Sequence, residues 1–302
     1  MKRRGTHLYL IAGTVSMLLA AHPAAAQQEA PVWLEPTKAA PAGTTYRTFW
    51  SKSAGAEVSY LLYLPPGYET SAGRRYPVLY WLHGLGGDQR RGAPIVRDLD
   101  VAIRAGRAPA MIAVLVNGQP TSWYCDSTDG RVPVESVIVR DLVPHVDAAY
   151  RTIARREARA IEGSSMGGFG AAHLGFKYPE LFGAVSILMG ALFTPADPPG
   201  GLDHAVWSAF GNDAEYYRSN NPWTLLEQNA DALRERTHLR IVVGTVDPLY
   251  GLNQQYHEQM ERLGLTHEFV PIEGVGHNHV ELYERMGDEA FTFYVNALAP
   301  DE

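Results

Sequence analysis

One cysteine stands in 302 residues, Cys125, so no internal disulfide can form. With no histidine-bearing motif beside it in sequence, Cys125 reads as a small apolar core residue rather than a nucleophile. Positive charge is also scarce: 26 Lys and Arg face 33 Asp and Glu, for a net charge of −7. A chain this acidic is a poor partner for nucleic acid or for an anionic membrane surface. Long apolar runs are missing too, since the stretch from Leu8 to Ala21 is shorter than the roughly 20 residues a spanning helix needs. No internal repeat is visible.

What surrounds that short stretch gives it a purpose. Lys2, Arg3 and Arg4 precede it, and Ala24, Ala25 and Ala26 follow it before Gln27, the layout of a secretory signal over residues 1–26 with an Ala-x-Ala cleavage site. No cysteine at the junction excludes a lipoprotein anchor, and the paired arginines lack the rest of a twin-arginine signal. Export by the general route is expected, to a secreted or periplasmic location with no membrane attachment after cleavage. Cleavage removes three cations and no anion, taking the net charge from −7 to −10. Residues 27–45, rich in Ala, Pro and Gln, read as a flexible lead-in, and residues 46–298 as one large domain, which 46% apolar content can support.

Within that domain strands and helices alternate. Glu57–Leu64, Pro77–Leu82, Met111–Val116, Ala184–Leu188, Leu239–Thr245 and His267–Ile272 read as strands, several of them almost continuously apolar, as buried parallel strands are. Helices are predicted over 95–105, 134–150, 250–263 and 279–297, with Pro144 bending the second or marking its true start. The rhythm implies a mostly parallel sheet covered by helices on both faces. Residues 190–236 break it, with prolines and glycines leading into short helical pieces around Trp207, Tyr216 and Trp223. They read as an excursion over the carboxyl edge of the sheet.

Residues 163–167, Gly-Ser-Ser-Met-Gly, carry Gly-x-Ser-x-Gly centred on Ser165. A serine on a tight strand-to-helix turn has neighbours two residues away pressed against adjacent backbone, where only glycine fits. Such a turn exposes the hydroxyl and leaves the Met166 amide at a helix N-terminus, able to stabilise developing negative charge. A glycine-rich helix start that merely contains serine is the alternative. Partners in the right loops decide between the two.

In open parallel sheets ligands bind beyond the carboxyl ends of strands. One such loop, His83-Gly84-Leu85-Gly86-Gly87, lets backbone approach a substrate and offers the Leu85 amide as a second oxyanion donor; His83 itself reads as structural, bonded to nearby backbone. A second holds Asp247, which directly follows a buried strand and precedes Pro248. It is either the acid that orients a histidine or an Asp-Pro turn former. The third, residues 273–279, holds His277 and His279. His277 can meet the serine while its other nitrogen faces Asp247, and His279 is expected in the first turn of the helix, facing away. The two histidines could also be paired metal ligands, but a zinc site needs a third or fourth ligand and no other histidine clusters with them. The chain order Ser165, Asp247, His277 is that of α/β-hydrolases.

Tyr76-Pro77-Val78-Leu79-Tyr80 through Gly87, the Arg140-Asp141-Leu142-Val143-Pro144 helix, Gly163 to Gly168 and Gly276-His277 together resemble the esterase D family of α/β-hydrolases. That family includes S-formylglutathione hydrolases, feruloyl and acetyl xylan esterases, enterochelin esterases and mycolyltransferases. The resemblance covers about residues 46–298. It implies Ser165 as nucleophile, His277 as base, Asp247 as its orienter, the Leu85 and Met166 amides as oxyanion hole, and neither a metal nor an organic cofactor. One departure is His279, where many feruloyl esterases of the family place an aromatic. The reading is a secreted serine carboxylesterase, of feruloyl or acetyl xylan type, acting on a small-molecule or polysaccharide-linked ester. An acyltransferase, a general short-chain esterase and a catalytically inactive carbohydrate-binding module are its rivals. Trp123, Tyr124, Trp207 and Trp223 either stack on a flat acyl group or sugar ring, or pack the excursion against the sheet.

Overall fold

The apolar runs at Val78–Leu82 and Ile112–Val116 leave no polar side for water, and each folds as a strand buried along its whole length. Residues 31–298 of this computed structural model are described here, apart from 36–37, 197–208, 235 and 288; the leader 1–26 and Trp207 lie outside the described residues. The strands are β1 Thr45–Ser51, β2 Ala56–Tyr63, β3 Val78–Leu82, β4 Ile112–Val116, β5 Arg159–Ser164, β6 Ala184–Leu188, β7 His238–Gly244 and β8 Glu268–Ile272. They form one sheet in the order β1-β2-β4-β3-β5-β6-β7-β8. The β1–β2 and β2–β4 pairs are antiparallel and the remaining five are parallel.

Strand periodicity divides the core between two faces. Val78, Tyr80 and Leu82 of β3 point to one side with Ile112, Val114 and Val116 of β4, while Leu79, Trp81, Ala113 and Leu115 point to the other. The helices are α1 Ala93–Arg104, α2 Val134–Ser136, α3 Val143–Ala149, α4 Met166–Lys177, α5 Ala214–Asn220, α6 Pro222–Leu233, α7 Tyr250–Arg262, α8 His279–Met286 and α9 Glu289–Ala297. Phe169, Leu174 and Phe176 of α4, with Tyr256 and Met260 of α7, cover the first face; Ile95 and Leu99 of α1, Leu282 of α8 and Phe291 of α9 cover the second. The mostly parallel sheet with helices on both faces is therefore the architecture observed. Among the described residues no helix is long and apolar enough to cross a membrane.

Four details correct the sequence reading. Thr45–Ser51 is an edge strand that was not anticipated, because five of its seven residues are at least partly exposed and the strand carries no apolar run. Within the lead-in, Trp33 is buried and its carbonyl accepts from the Ser59 amide at 2.9 Å, so part of that segment docks on the sheet. The helix expected over 134–150 is α2, a π-helical stretch Val137–Leu142 and α3 in one unbroken run, with Pro144 directly after the wider π turn. The closing helix is two, because Gly287 adopts φ 54°, ψ −126° between α8 and α9, a conformation that ends α8 and favours glycine.

Strand order reverses between β3 and β5, so the loops that leave their carboxyl ends diverge and open a crevice at that point. The sequence around Ser165 and the glycine loop after β3 meet there.

Candidate active site

Ser165 connects β5 to α4 with φ 59°, a left-handed conformation that costs a non-glycine residue about 1–3 kcal/mol. Its amide donates to the Leu188 carbonyl at 3.0 Å and its carbonyl accepts from Phe169 and Ala191, so packing on both sides holds the turn. The flanking glycines have a steric reason. A Cβ on Gly163 would run into the Gly167 carbonyl, and one on Gly167 into that of Leu82. A Cβ on Gly84 would stand 3.3 Å from the Ser165 Cβ, which measures how closely the loop after β3 approaches the hydroxyl.

His277 and Asp247 arrive from the loops after β8 and β7. Those loops are laced together: Thr245 donates to Ile272, Val246 to Val275, and Gly274 to the Thr245 hydroxyl. The His277 Nδ1 lies 2.7 Å from Asp247 Oδ2 and its Nε2 2.9 Å from Ser165 Oγ. A carboxylate accepts only, so Nδ1 carries the proton and Nε2 is left as the acceptor for the serine hydroxyl. Asp247 is buried, whereas the His277 side chain is 35% exposed. The two readings of Asp247 coexist, because Oδ1 accepts from the Leu249 amide at 2.7 Å, as a turn former does, while Oδ2 faces the histidine.

These groups open into a cavity of about 350 Å³. Leu85 lines it and Met166 is the first residue of α4, whose first-turn amides have no intrahelical carbonyl to bond. His279 is the first residue of α8 as expected, but it does not face away. It lines the same cavity, its ring near Trp81, with Nε2 3.2 Å from the Arg91 carbonyl. Burial, partly countered by that carbonyl, lowers its pKa, and the Arg91 charge and a protonated His277 lower it further. His83 is structural as expected: its Nδ1 sits 2.9 Å from the Gly84 carbonyl, and burial lowers its pKa to about 4.

Trp123, Tyr124 and Trp223 take the packing alternative. Trp123 is 2% exposed and packs on Phe169, Phe193 and Phe210. Tyr124 wedges its ring against Gly118 and Gly170 and donates to the His83 carbonyl at 2.9 Å, bracing the glycine loop against α4. Trp223 donates to the Leu192 carbonyl and packs on Tyr256. Sequence reasoning missed Arg91 and Met189, which line the cavity from a 3₁₀ turn and from the end of β6 and carry no local motif. It also missed a buried network beneath the site. Glu162 of β5 bonds Arg240 of β7 at 3.0 Å and accepts from Tyr283 of α8 and Tyr294 of α9, tying the serine strand to the helices that follow the histidine loop. Among the described residues no group of three His, Cys, Asp or Glu is placed to hold a metal ion.

Residues 51–302 match the Esterase family. The chain belongs to that family. It is 32% identical over 160 residues to an endo-1,4-beta-xylanase/feruloyl esterase of Xylanibacter ruminicola, covering 50% of this chain and 22% of that protein. It is 36% identical over 147 residues to an esterase of Mycobacterium tuberculosis, covering 47% of this chain and 31% of the other. The match thus spans less than a third of either relative's length. A ferulic acid esterase structure superposes with TM-score 0.73 at 24% identity, over 84% of this chain and 98% of the other. An S-formylglutathione hydrolase of Staphylococcus aureus does so with TM-score 0.68 at 19% identity, over 84% and 98%. At those identities the structural likeness speaks for the fold, and it is that of α/β-hydrolases.

Proposed function

We propose that this chain is an exported serine carboxylesterase that works through an acyl-enzyme. The observation that carries the reading is the unbroken row from Ser165 Oγ through His277 to Asp247, at 2.9 and 2.7 Å, opening into a cavity. In the proposed cycle His277 Nε2 takes the Ser165 proton as Oγ attacks the ester carbonyl. The amides of Leu85 and Met166 hold the oxyanion. Protonated His277 gives its proton to the departing alcohol, and Asp247 stabilises the imidazolium that forms. Water, deprotonated by His277, then attacks the acyl-serine and returns the free enzyme. No step draws on a metal or an organic cofactor.

For the substrate, a feruloyl or acetylated sugar ester has the support of the Xylanibacter ruminicola relative, a xylanase/feruloyl esterase by name. The buried Trp123 and Tyr124 lend that choice no stacking surface. The test is hydrolysis by the purified mature protein of p-nitrophenyl acetate, methyl ferulate and acetylated xylan, with Ser165→Ala as control. Turnover that vanishes in the folded variant is expected, with methyl ferulate or acetylated xylan cleaved better than the p-nitrophenyl ester after allowance for leaving-group reactivity. A folded Ser165→Ala retaining a tenth of the rate would remove the nucleophile assignment. Equal performance on all esters would leave a general short-chain esterase. Export is tested separately: Gln27 is the expected N-terminus of the protein recovered outside the cytoplasm.

A further inference from the structure

Arg91 and Arg90 are neighbours in the same 3₁₀ turn and differ in what they face. Arg90 Nη1 is bound to Glu35 and Asp88, and Lys38 takes up the remaining reach of the same two acids. Arg91 has no such partner among the described residues, and it lines the cavity that holds Ser165 and His277. Two contacts place its stem and its backbone at that wall. Its aliphatic stem passes over Gly87, where a Cβ would stand 3.2 Å from Arg91 Cγ, so a side chain at that position would crowd the arginine. Its carbonyl lies 3.2 Å from His279 Nε2, in donor range of a neutral imidazole. No Asp or Glu is among the described residues that line the cavity, and Asp247 lies buried behind His277. The cavity wall therefore presents one full positive charge with no counter-charge of its own.

The position of that charge relative to the histidine matters as well. His277 must deliver its proton to the departing oxygen, so the alcohol part of an ester lies on the histidine side of the carbonyl. His279, two residues further on, touches the Arg91 backbone, which puts Arg91 on that same side. Guanidinium groups recognise carboxylates by paired, charge-assisted hydrogen bonds.

We infer that Arg91 selects esters whose alcohol portion carries a carboxylate, such as a hydroxy acid or a uronate-bearing sugar. The inference rests on the serine esterase reading and names the substrate class of that same site.

The test compares two pairs of esters on wild type, Arg91→Gln and Arg91→Lys: O-acetyl-lactate with O-acetyl-lactamide, and monomethyl succinate with methyl succinamate. Dividing each anionic ester's kcat/KM by that of its neutral partner, and then wild type by variant, cancels intrinsic reactivity. For the lactate pair Arg91→Gln should lower the ratio about tenfold or more, mainly through KM, as expected for loss of a charge-assisted bond. Arg91→Lys should restore part of it, and the wild-type preference should shrink as salt rises. An unchanged ratio in Arg91→Gln overturns the inference, as does a loss confined to the succinate pair, whose carboxylate is on the acyl side. Turnover of O-acetyl-lactamide that disappears in Ser165→Ala keeps the esterase reading whatever Arg91 does. No wild-type turnover on any of the four, with p-nitrophenyl acetate still cleaved, overturns the inference and leaves the esterase reading standing.

Discussion

Two rows of nucleophile-type atom, imidazole and carboxylate lie in this chain, and only one of them has the arrangement that a nucleophile needs. At the sheet edge stand Ser165, His277 and Asp247. Under α4 stand Cys125, His173 and Glu135, with the thiol 3.7 Å from His173 Nε2 and that nitrogen 2.7 Å from Glu135. In the first row the two ring nitrogens are divided between acid and hydroxyl, which leaves a lone pair aimed at Ser165. In the second, Nε2 faces the carboxylate and Nδ1 the Asn220 carbonyl at 2.8 Å, so both nitrogens meet oxygen acceptors and neither is free to take a thiol proton. Access differs too. His277 opens on a cavity, whereas Cys125, His173 and Glu135 are all buried. Burial pushes the Cys125 thiol well above its ordinary pKa, opposite to what a reactive cysteine needs. Residue types alone do not make a site; the allocation of the imidazole nitrogens and a route to solvent do.

The largest effect that distinguishes the rows is on turnover. Ser165→Ala should lower kcat at least about 10⁴-fold while the far-ultraviolet spectrum and unfolding midpoint stay close to wild type. Asp247→Asn should follow, at roughly 10³- to 10⁴-fold, because the amide no longer holds the histidine in the tautomer that accepts from serine. An Asp247→Asn enzyme within tenfold of wild type would mean that Asp247 serves only as the turn former its Oδ1 contact makes it.

For the buried row the expected effect is on stability. Burial alone would raise the Glu135 pKa, but bonds from His173, Lys177 and Tyr178 prevail and hold it at about 2. Glu135→Gln removes the charge these groups surround and should cost about 3–5 kcal/mol in urea unfolding, with kcat of the folded enzyme within about twofold of wild type. The sign in pH follows. Glu135 titrates near 4.5 when unfolded and about 2 when folded, so its contribution is full above 4.5 and is lost as pH falls toward 2. Stability indifferent to Glu135→Gln would show that the row is incidental.

His83 gives the next effect in size. Buried in its neutral form, it titrates at about 4 instead of 6.5, so between those values the unfolded chain holds a proton that the folded one refuses. Stability should therefore fall as pH drops below 6.5, by about 1.4 kcal/mol per unit and about 3 kcal/mol by pH 4. Urea titrations at intervals from pH 6.5 to 4.5 on wild type and His83→Asn check this, the variant giving the shallower slope. Parallel slopes would mean that His83 is protonated without cost.

Much of this is legible in the sequence alone. Buried parallel strands announce themselves as apolar runs, and the loops that gather at the crevice follow such strands, so the meeting of Ser165, Asp247 and His277 could be read from position and order. Features whose meaning depends on distant partners were not legible. Trp123 and Tyr124 sit after a strand end, where ligand contact and packing give the same sequence, and only the Gly118 and Gly170 surfaces settle the matter for Tyr124. Glu162 and Arg240 read as polar interruptions of strands until seen 3.0 Å apart across 78 residues. Gly287 is a single residue inside a helical pattern, and only its φ reveals the break. Arg91 has the sequence of any surface arginine beside a helix.

The smallest effect is the sharpest test of the comparison, because it asks for almost nothing to happen. Cys125 was read from sequence as a small apolar residue with no histidine near it; in space His173 is beside it. If the allocation of nitrogens decides reactivity, that proximity has no chemical consequence. Cys125→Ala deletes one buried sulfur and should cost on the order of 1 kcal/mol, the scale of removing a small buried group from a packed core, with kcat and KM within about twofold of wild type. Iodoacetamide should leave native Cys125 unmodified at neutral pH and label it after unfolding in urea, both followed by intact mass. Rapid labelling of the native protein, or loss of turnover in a Cys125→Ala variant of wild-type stability, would mean that the buried row holds a thiolate after all, and the distinction drawn between the two rows would not stand.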